Sequence, residues 1–340
     1  MFKQMLKNCS EGKTLTRVEA KSLMDEIMSG NGEALQVASL LSMMRLRGET
    51  VDEMVGFAQS MREHAVTVEH DEATLLDTCG TGGDDLSTFN ISTASAILLS
   101  ACKVKVAKHG NRAVSSKSGS ADVLEQLQIP VQSSPKEALE ALKTKGLCFL
   151  FAPLYHQSMK HVAEVRRQLG FKTVFNLLGP LVNPANANRQ MIGVFHPTFA
   201  MKMAQTLREL GTDRAMFVTG ADGLDECSIS TDTNVIELRK GEIFQYQLTP
   251  EEVGLKRGAI EDIQVTSVTD SARLIENIFT GRANKTAENI VILNSASALY
   301  VAEEVGSIKE GVEKASETLY KYKGLEQLRS LQVTKGERVC

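Results

Sequence analysis

A glycine-rich run between two predicted elements is the first part of this sequence whose residues suit a chemical task. GTGGD at 80–84 follows a short apolar strand predicted at 74–78 and precedes a helix predicted at 90–103. Glycines let backbone N–H groups approach a phosphate without Cβ obstruction, and a helix N-terminus adds free donors and partial positive charge. The run is neither a Walker A loop nor a GxGxxG motif, so alone it is as typical of an ordinary tight turn.

A second polar segment, KHGNRAVSSKSGSAD at 108–122, also follows a predicted strand and opens a predicted helix at 120–127. Its first thirteen residues hold three cations, four serines and an asparagine. A diphosphate requires many hydrogen-bond donors and positive charge in one place. A solvated basic loop is the ordinary alternative, but position and composition together favour anion binding.

Adjacent carboxylates end a third motif, DGLDE at 222–226, just after a strand predicted to end at Thr219. Magnesium prefers oxygen ligands and usually coordinates phosphate oxygens as well, so Asp225 and Glu226 are candidate metal ligands. Taken alone, the motif is equally typical of a polar turn.

A fourth motif, HQSMKHVAEVRRQLG at 156–170, has apolar residues on one helix face, while Arg166 and Arg167 point elsewhere. An arginine can bind a carboxylate through two parallel hydrogen bonds, although a solvated helix face is the default interpretation. No Ser-His-Asp order, HExxH or CxxC motif occurs, and His109 beside Lys108 is more typical of a binding or structural group than of a general base.

The composition excludes several classes of protein. The net charge of −4 over 340 residues gives no general attraction to nucleic acid, so any anion site must be local. The six cysteines form no zinc pattern and suit a reducing cytoplasm. No apolar run approaches the roughly 18 residues of a membrane span, and no signal peptide is evident, so we expect a cytoplasmic protein without a membrane partner.

The elements that must position these motifs change in type along the chain. The first 66 or so residues predict helices only, with TxxE capping boxes at 16–19 and 50–53. From about residue 73, alternating strands and helices predict a mostly parallel sheet covered by helices, with ligands beyond the carboxyl ends of its strands. We also expect a strand at 289–293 and an extended connector at 176–184.

Taken together, the segments closely resemble the anthranilate phosphoribosyltransferase family of tryptophan biosynthesis. They occur in the family's order. Their combination is specific to the family, although each piece alone is not. After Ile229 the chain resembles the family mainly in its general pattern of predicted elements. The matching pieces are GTGGD at 80–84, NIST at 90–93, KHGNRAVSSKSGSADVLE at 108–125, HQSMKHVAEVRRQLG at 156–170, FNLLGPLVNP at 175–184 and DGLDE at 222–226.

The resemblance implies a magnesium-dependent transfer of the phosphoribosyl group from 5-phosphoribosyl 1-diphosphate to the amine of anthranilate. It implies about two Mg²⁺ ions per subunit and a homodimer formed through a helical domain. That domain is expected at residues 1–70, with about 166–187 returning to it. The α/β domain that binds the phosphoribosyl donor is expected at 73–165 and 188–340.

The family's site residues carry over onto matching positions of this chain. Anthranilate would contact Gly80, Asn111 and Arg166, and magnesium would bind to Ser92, Asp225 and Glu226. The residues expected around the phosphoribosyl donor are Gly80, Gly83, Asp84, Thr88, Asn90, Ile91, Ser92, Thr93, Lys108, His109, Gly110, Asn111, Arg112, Ala113, Val114, Ser115, Ser116 and Ser120.

Two positions depart from the commonest form of the family. Asp85 and Ala113 stand where glycine and serine are frequent, and we expect Asp85 to point to solvent or metal.

Two rival functions stay open. A pyrimidine nucleoside phosphorylase shares the architecture, and a non-catalytic nucleic-acid-binding relative would keep the fold without the enzymatic activity. The DGLDE and RRQLG segments and the acidic net charge favour the transferase.

Overall fold

The structure, a computed structural model, describes residues 2–112 and 118–333. Its helices are α1 (Phe2–Ser10), α2 (Arg17–Met28), α3 (Ala34–Arg47), α4 (Val51–Glu63), α5 (Ile91–Ala101), α6 (Ser120–Gln126), α7 (Pro135–Lys145), α8 (Ala152–Tyr155), α9 (Lys160–Leu169), α10 (Val174–Leu178), α11 (Pro197–Glu209), α12 (Val268–Phe279), α13 (Lys285–Val301), α14 (Ile308–Tyr320) and α15 (Lys323–Leu331). Its strands are β1 (Leu76–Gly80), β2 (Val106–Gly110), β3 (Leu147–Phe151), β4 (Arg189–Gly193), β5 (Arg214–Gly220), β6 (Thr233–Arg239) and β7 (Glu242–Leu248).

Helices α1 to α4 form a bundle, and both predicted capping boxes are confirmed at its helix starts. Thr16 accepts from the backbone N–H of Glu19, and Thr50 accepts from that of Glu53, with the glutamates reaching back to the cap residues. Each box pairs hydrogen-bond donors that the first helical turn would otherwise leave free. Helices α2 and α4 therefore begin where the sequence indicates.

The chain between β3 and β4 packs on this bundle. Helix α9 contacts α2 and α3, and α10 contacts α3 and α4. Val162 and Val165 of α9 and Phe175 of α10 share one buried cluster with Leu40 of α3. The α9–α10 connection is thus held from the bundle side while its ends join the sheet.

A seven-stranded sheet runs in the order β3-β2-β1-β4-β5-β6-β7, parallel from β3 to β5 and antiparallel at β6 and β7. Gly80 at the end of β1 pairs with Gly193 of β4, and Gly110 ends the adjacent β2. Neighbouring parallel strands end at one edge, so the glycine-rich and basic segments emerge side by side. The mostly parallel sheet with its N-terminal helices confirms the predicted fold class.

Two local predictions were wrong. Residues 289–293 belong to α13, a continuous helix packed against α5 and α14 and buried on nearly every side. Burial all round removes the alternation that separates a helix from a strand, so the apolar run was ambiguous. Residues 176–184 are not simply extended, because α10 is followed by a 3₁₀ turn at Gly179–Leu181.

No helix within residues 2–112 and 118–333 is long and apolar enough to cross a membrane.

Candidate active site

Hydrogen bonds fix the glycine loop, residues 80–84, to the edge of the sheet. Gly82 and Gly83 have φ angles of 66° and 81°, the left-handed region that glycine adopts without a Cβ penalty. The Gly82 backbone N–H donates to Asp225 Oδ2 at 2.8 Å, and the Thr81 N–H donates to the Gly193 carbonyl at 2.9 Å. The loop is therefore anchored to β4 and to the acidic motif. Asp85, just beyond it, is exposed at φ 60°, where the family's frequent glycine would be unstrained.

The N-terminus of α5 forms the wall facing this loop. Asn90 caps the helix, its Oδ1 accepting from the Thr93 N–H at 3.1 Å, and its Nδ2 donates to the Ser118 carbonyl at 3.3 Å. Ser92 Oγ accepts a 3.0 Å hydrogen bond from Lys108 Nζ. The free N–H groups of such a terminus and its partial positive charge favour an anion.

Lys108 lies beneath the N-terminus of α5 and does not line the space between that terminus and the glycine loop. Its ammonium is buried and donates to the Thr78 carbonyl at 2.5 Å as well as to Ser92. Burial lowers the pKa of Lys108, and the nearby Asp77 carboxyl opposes that shift. Lys108 and Thr93 line a separate cavity of about 220 Å³. The lysine thus supports Ser92 and the α5 terminus from inside.

His109, the next residue of β2, lies beside His156. Its ring is buried 5.2 Å from the ring of His156, measured between centroids. Burial, with a smaller contribution from His156, lowers the pKa of His109 to about 3, so the imidazole is neutral at pH 7. Its Nε2 has no hydrogen-bond partner among the described residues.

The carboxylate of Asp84, in the glycine loop, lies close to those of Asp225 and Glu226. Burial raises the pKa of Glu226 to about 8, against the opposing pull of Lys108 and with Asp84 adding to the rise. Burial and then the Asp84 charge raise the pKa of Asp225 well above its ordinary value. Such like-charge crowding is relieved by a cation. In the described parts of the chain, no group of three or more His, Cys, Asp or Glu side chains is arranged to hold a metal ion by itself.

Two cavities meet at Gly80. The first, which we name the glycine-loop cavity, measures about 280 Å³ and lies between the glycine loop, α5 and the DGLDE motif. The second, which we name the arginine cavity, measures about 420 Å³ and lies between β2, α8, α9 and α10. Both are lined by Gly80, Thr81, Asn111 and Asn176.

Arg166 is the cation of the arginine cavity. Its guanidinium is half-buried, lies 5.2 Å from the centroid of the Phe175 ring, and has no ion pair with any carboxylate of the described residues. Arg167, the next residue, is exposed and pairs with Glu164 at 2.5 Å. Burial without an ion pair lowers the pKa of Arg166. A ligand carboxylate would supply the missing partner.

The structure divides the predicted site residues among these spaces. The glycine-loop cavity is lined by Gly80, Gly83, Asp84, Thr88, Asn90, Ile91, Ser92, Asn111, Arg112, Ser120, Asp225 and Glu226. The arginine cavity is lined by Gly80, His109, Gly110, Asn111 and Arg166. Ala113, Val114, Ser115 and Ser116 lie outside the described residues.

Sequence reasoning missed Lys172 and Asn176, which also line the glycine-loop cavity. Asn176 lies within the FNLLGPLVNP motif at 175–184, whose residue types alone indicate no ligand contact. Lys172 stands in a short connection after Gly170, where a loop cation is ordinary. Only the packing of α9 and α10 on the bundle directs it toward the glycine loop.

Comparisons with known proteins show the family to which the chain belongs. Two models of a glycosyl transferase family match the chain, its helical bundle domain at residues 3–65 and its a/b domain at residues 72–323. The fold and the site thus define a glycosyl transferase.

Among relatives, the anthranilate phosphoribosyltransferase of Geobacillus sp. (strain WCH70) is 56% identical over 99% of both chains. The crystal structure of anthranilate phosphoribosyltransferase from Thermus thermophilus superposes with a TM-score of 0.90 at 39% identity, covering 96% of this chain and 97% of the other. The Saccharomyces cerevisiae enzyme in complex with PRPP and Mg gives 0.88 at 26% identity, covering 97% and 96%. The chain belongs to the anthranilate phosphoribosyltransferase family, which confirms the resemblance inferred from its motifs.

Proposed function

We propose that the chain transfers the phosphoribosyl group of 5-phosphoribosyl 1-diphosphate to the amine of anthranilate, giving N-(5-phosphoribosyl)anthranilate and diphosphate. The observation that carries the proposal is the meeting of two unlike cavities at Gly80. One offers backbone N–H groups and carboxylates, and the other offers apolar walls and an unpaired guanidinium. Membership of the family supports this assignment.

The phosphoribosyl donor occupies the glycine-loop cavity in this proposal. Its phosphates lie against the glycine loop and the α5 terminus, where Asn90 and Ser92 add polar contacts. Arg112 is already paired with Glu125 and Asp122, at 2.6 and 2.8 Å, so those pairs must loosen before it reaches a phosphate.

Anthranilate occupies the arginine cavity. Its aromatic ring fits between apolar residues such as Phe175 and Pro180, and its carboxylate pairs with Arg166. Asn111 lines both cavities, so it is placed near the nitrogen that attacks the ribose. The amine then faces Gly80 and the ribose C1 beyond it.

Asp225, Glu226 and the Ser92 hydroxyl would hold magnesium together with oxygens of the diphosphate. The fit rests on the crowded carboxylates, whose raised pKa values are those of groups that lack a compensating cation. When bound, magnesium would offset the negative charge that grows on the leaving diphosphate. About two ions per subunit are proposed.

The residues of the chain act mainly by positioning and electrostatics. The amine of anthranilate carries its own lone pair, so it attacks C1 directly as the C1–O bond to diphosphate breaks, and the nitrogen then releases a proton. No covalent enzyme intermediate is needed. His109 is neutral at pH 7 and is not assigned as a base. The partial positive charge at the N-terminus of α5 stabilises charge on the leaving group.

The remaining organisation is proposed with the function. Residues 1–70 with about 166–187 form the helical domain, and residues 73–165 with 188–340 form the α/β domain. Closure of the two domains over the substrates excludes water. Three apolar side chains of the bundle, Val18, Leu35 and Leu46, are 78%, 85% and 89% exposed, which supports a homodimer through this domain. The five cysteines within residues 2–112 and 118–333 are free and buried, which supports a reducing cytoplasm. Neither nucleic acid nor membrane is proposed as a partner.

A fluorescence assay tests the function. The chain, Mg²⁺, the phosphoribosyl donor and anthranilate are mixed, and loss of anthranilate fluorescence is expected only when all four are present. Phosphorolysis of thymidine or uridine is measured in parallel. Unchanged anthranilate fluorescence contradicts the proposal, and phosphorolysis of either nucleoside favours the nucleoside phosphorylase.

A further inference from the structure

Lys172 is a cation of the glycine-loop cavity to which the sequence analysis gives no role. It lies between α9 and α10, in the connection whose neighbours Val165 and Val174 are buried with the bundle. Its Nζ donates to the Gly83 carbonyl oxygen at 2.5 Å and lies 3.9 Å from the centroid of the Phe195 ring. The side chain therefore crosses from the bundle side to the glycine loop.

The charge of Lys172 is not matched by a carboxylate of the described residues. Arg112, which lines the same cavity, is held by Glu125 and Asp122. Lys108 lies beneath the α5 terminus and lines another cavity. Within residues 2–112 and 118–333, Lys172 is thus the cation of this cavity wall without an acidic partner.

Gly83 leaves room for this lysine. Its φ of 81° favours glycine, and a Cβ at this position would lie 2.6 Å from Lys172 Nζ, closer than real side chains approach. On its other side the loop is held by Asp225, which accepts from the Gly82 N–H. Besides its anchor to β4 through Thr81, the loop is consequently tied to the acidic motif and to the α9–α10 connection.

We propose that Lys172 is a positioning residue for the phosphoribosyl donor: its ammonium holds the Gly83 end of the glycine loop in the geometry that binds phosphate. Arg166, proposed to bind the carboxylate of the acceptor, lies in α9 directly before this connection. The tie therefore links the helix that bears the acceptor's partner to the loop that bears the phosphates. This inference rests on the proposed function and deepens it.

The test compares Lys172→Met and Lys172→Arg with a matched control, Lys202→Met. Lys202 Nζ donates to the Glu49 carbonyl at 2.8 Å, so it too joins the bundle side to the α/β side, but it lines neither cavity. KM values for both substrates come from fluorimetry, and affinity for the phosphoribosyl donor comes from calorimetry. The loss of a charge-assisted hydrogen bond is worth about tenfold.

We expect Lys172→Met to raise KM and Kd for the phosphoribosyl donor about tenfold and to leave KM for anthranilate within about twofold. Lys172→Arg restores most of the affinity, and Lys202→Met behaves as the wild type. Wild-type affinity in the Lys172→Met chain, or an equal rise in both KM values, overturns the proposal. Inactivity of the wild type would instead reject the proposed function.

A second variant keeps the test decisive if Lys172→Met does not fold. If Lys172→Met lacks a cooperative thermal transition, Lys172→Gln is measured by the same criteria, since it is uncharged, polar and shorter. An unchanged affinity for the phosphoribosyl donor in that variant overturns the proposal as well.

Discussion

The glycine-loop cavity and the arginine cavity share Gly80 but differ in almost every physical property of their walls. The first is built from backbone N–H groups, hydroxyls and three crowded carboxylates. The second is built mainly from apolar side chains, with Arg166 as a cation that lacks an acidic partner among the described residues. In the proposed function, a metal bound with the diphosphate would offset the crowded carboxylates of the first cavity, and the carboxylate of anthranilate would pair with Arg166 in the second.

With this difference, one strand end could serve two chemically unlike substrates. A phosphate-rich ligand needs hydrogen-bond donors and a cation, whereas an aromatic acid needs apolar area and a single clamp for its carboxylate. Gly80 has no side chain to separate the two. Changes in one cavity should therefore affect one substrate much more than the other.

The largest effect is expected from removing the acidic pair. The double variant Asp225→Ala with Glu226→Ala should lower kcat/KM by about 10²–10³-fold and raise the Mg²⁺ concentration for half-maximal rate, because charge on the leaving group is no longer offset. Magnesium titrations of the initial rate measure both. Glu251→Ala with Glu252→Ala, an exposed pair lining neither cavity, is the matched control. An unchanged metal titration would remove Asp225 and Glu226 from the metal site.

A smaller effect, confined to the other substrate, is expected at Arg166. Arg166→Ala should raise KM for anthranilate about 30- to 100-fold, the worth of a charged hydrogen-bonded pair, and leave KM for the phosphoribosyl donor within about twofold. Arg167→Ala is the control on the same helix, since Arg167 is exposed and pairs with Glu164. Equal losses for both substrates would defeat the carboxylate role.

The smallest effect concerns stability without ligands. The pKa of Glu226 is raised from 4.5 to about 8, so between these pH values the folded chain holds a proton that the unfolded chain has released. Stability should fall as pH rises through this window. Glu226→Gln removes that dependence and should raise the Tm at pH 8 by a few degrees, a modest shift because the residue is partly open to the cavity. Melting curves from pH 5 to 8 without Mg²⁺ check this, and parallel curves for both chains would refute it.

The sequence was most informative where a local rule decides the structure. The Thr16 and Thr50 capping boxes start α2 and α4 because side chain and backbone satisfy each other within one turn. Gly146 ends α7 at φ 75°, as a C-terminal glycine should. The alternation of strands and helices predicted the mostly parallel sheet. It also predicted that the glycine loop lies at the carboxyl ends of the strands.

Features decided by tertiary packing were not predictable. The apolar run at 289–293 fits either a buried strand or a buried helix, and only its contacts with α5 and α14 make it part of α13. The depth of Lys108 follows from how β2 lies beneath α5. Lys172 reaches the glycine loop because α9 and α10 pack on the bundle, an orientation that no local pattern encodes.

The most direct test of the two-cavity account is to locate each ligand by crystallography. Crystals are soaked separately with anthranilate and with the phosphoribosyl donor plus Mg²⁺, so that no turnover occurs. The account predicts the anthranilate carboxylate paired with Arg166 on one side of Gly80, and the diphosphate on the glycine loop with metal at Asp225 and Glu226 on the other. Anthranilate bound against the glycine loop, or diphosphate bound at Arg166, would contradict it.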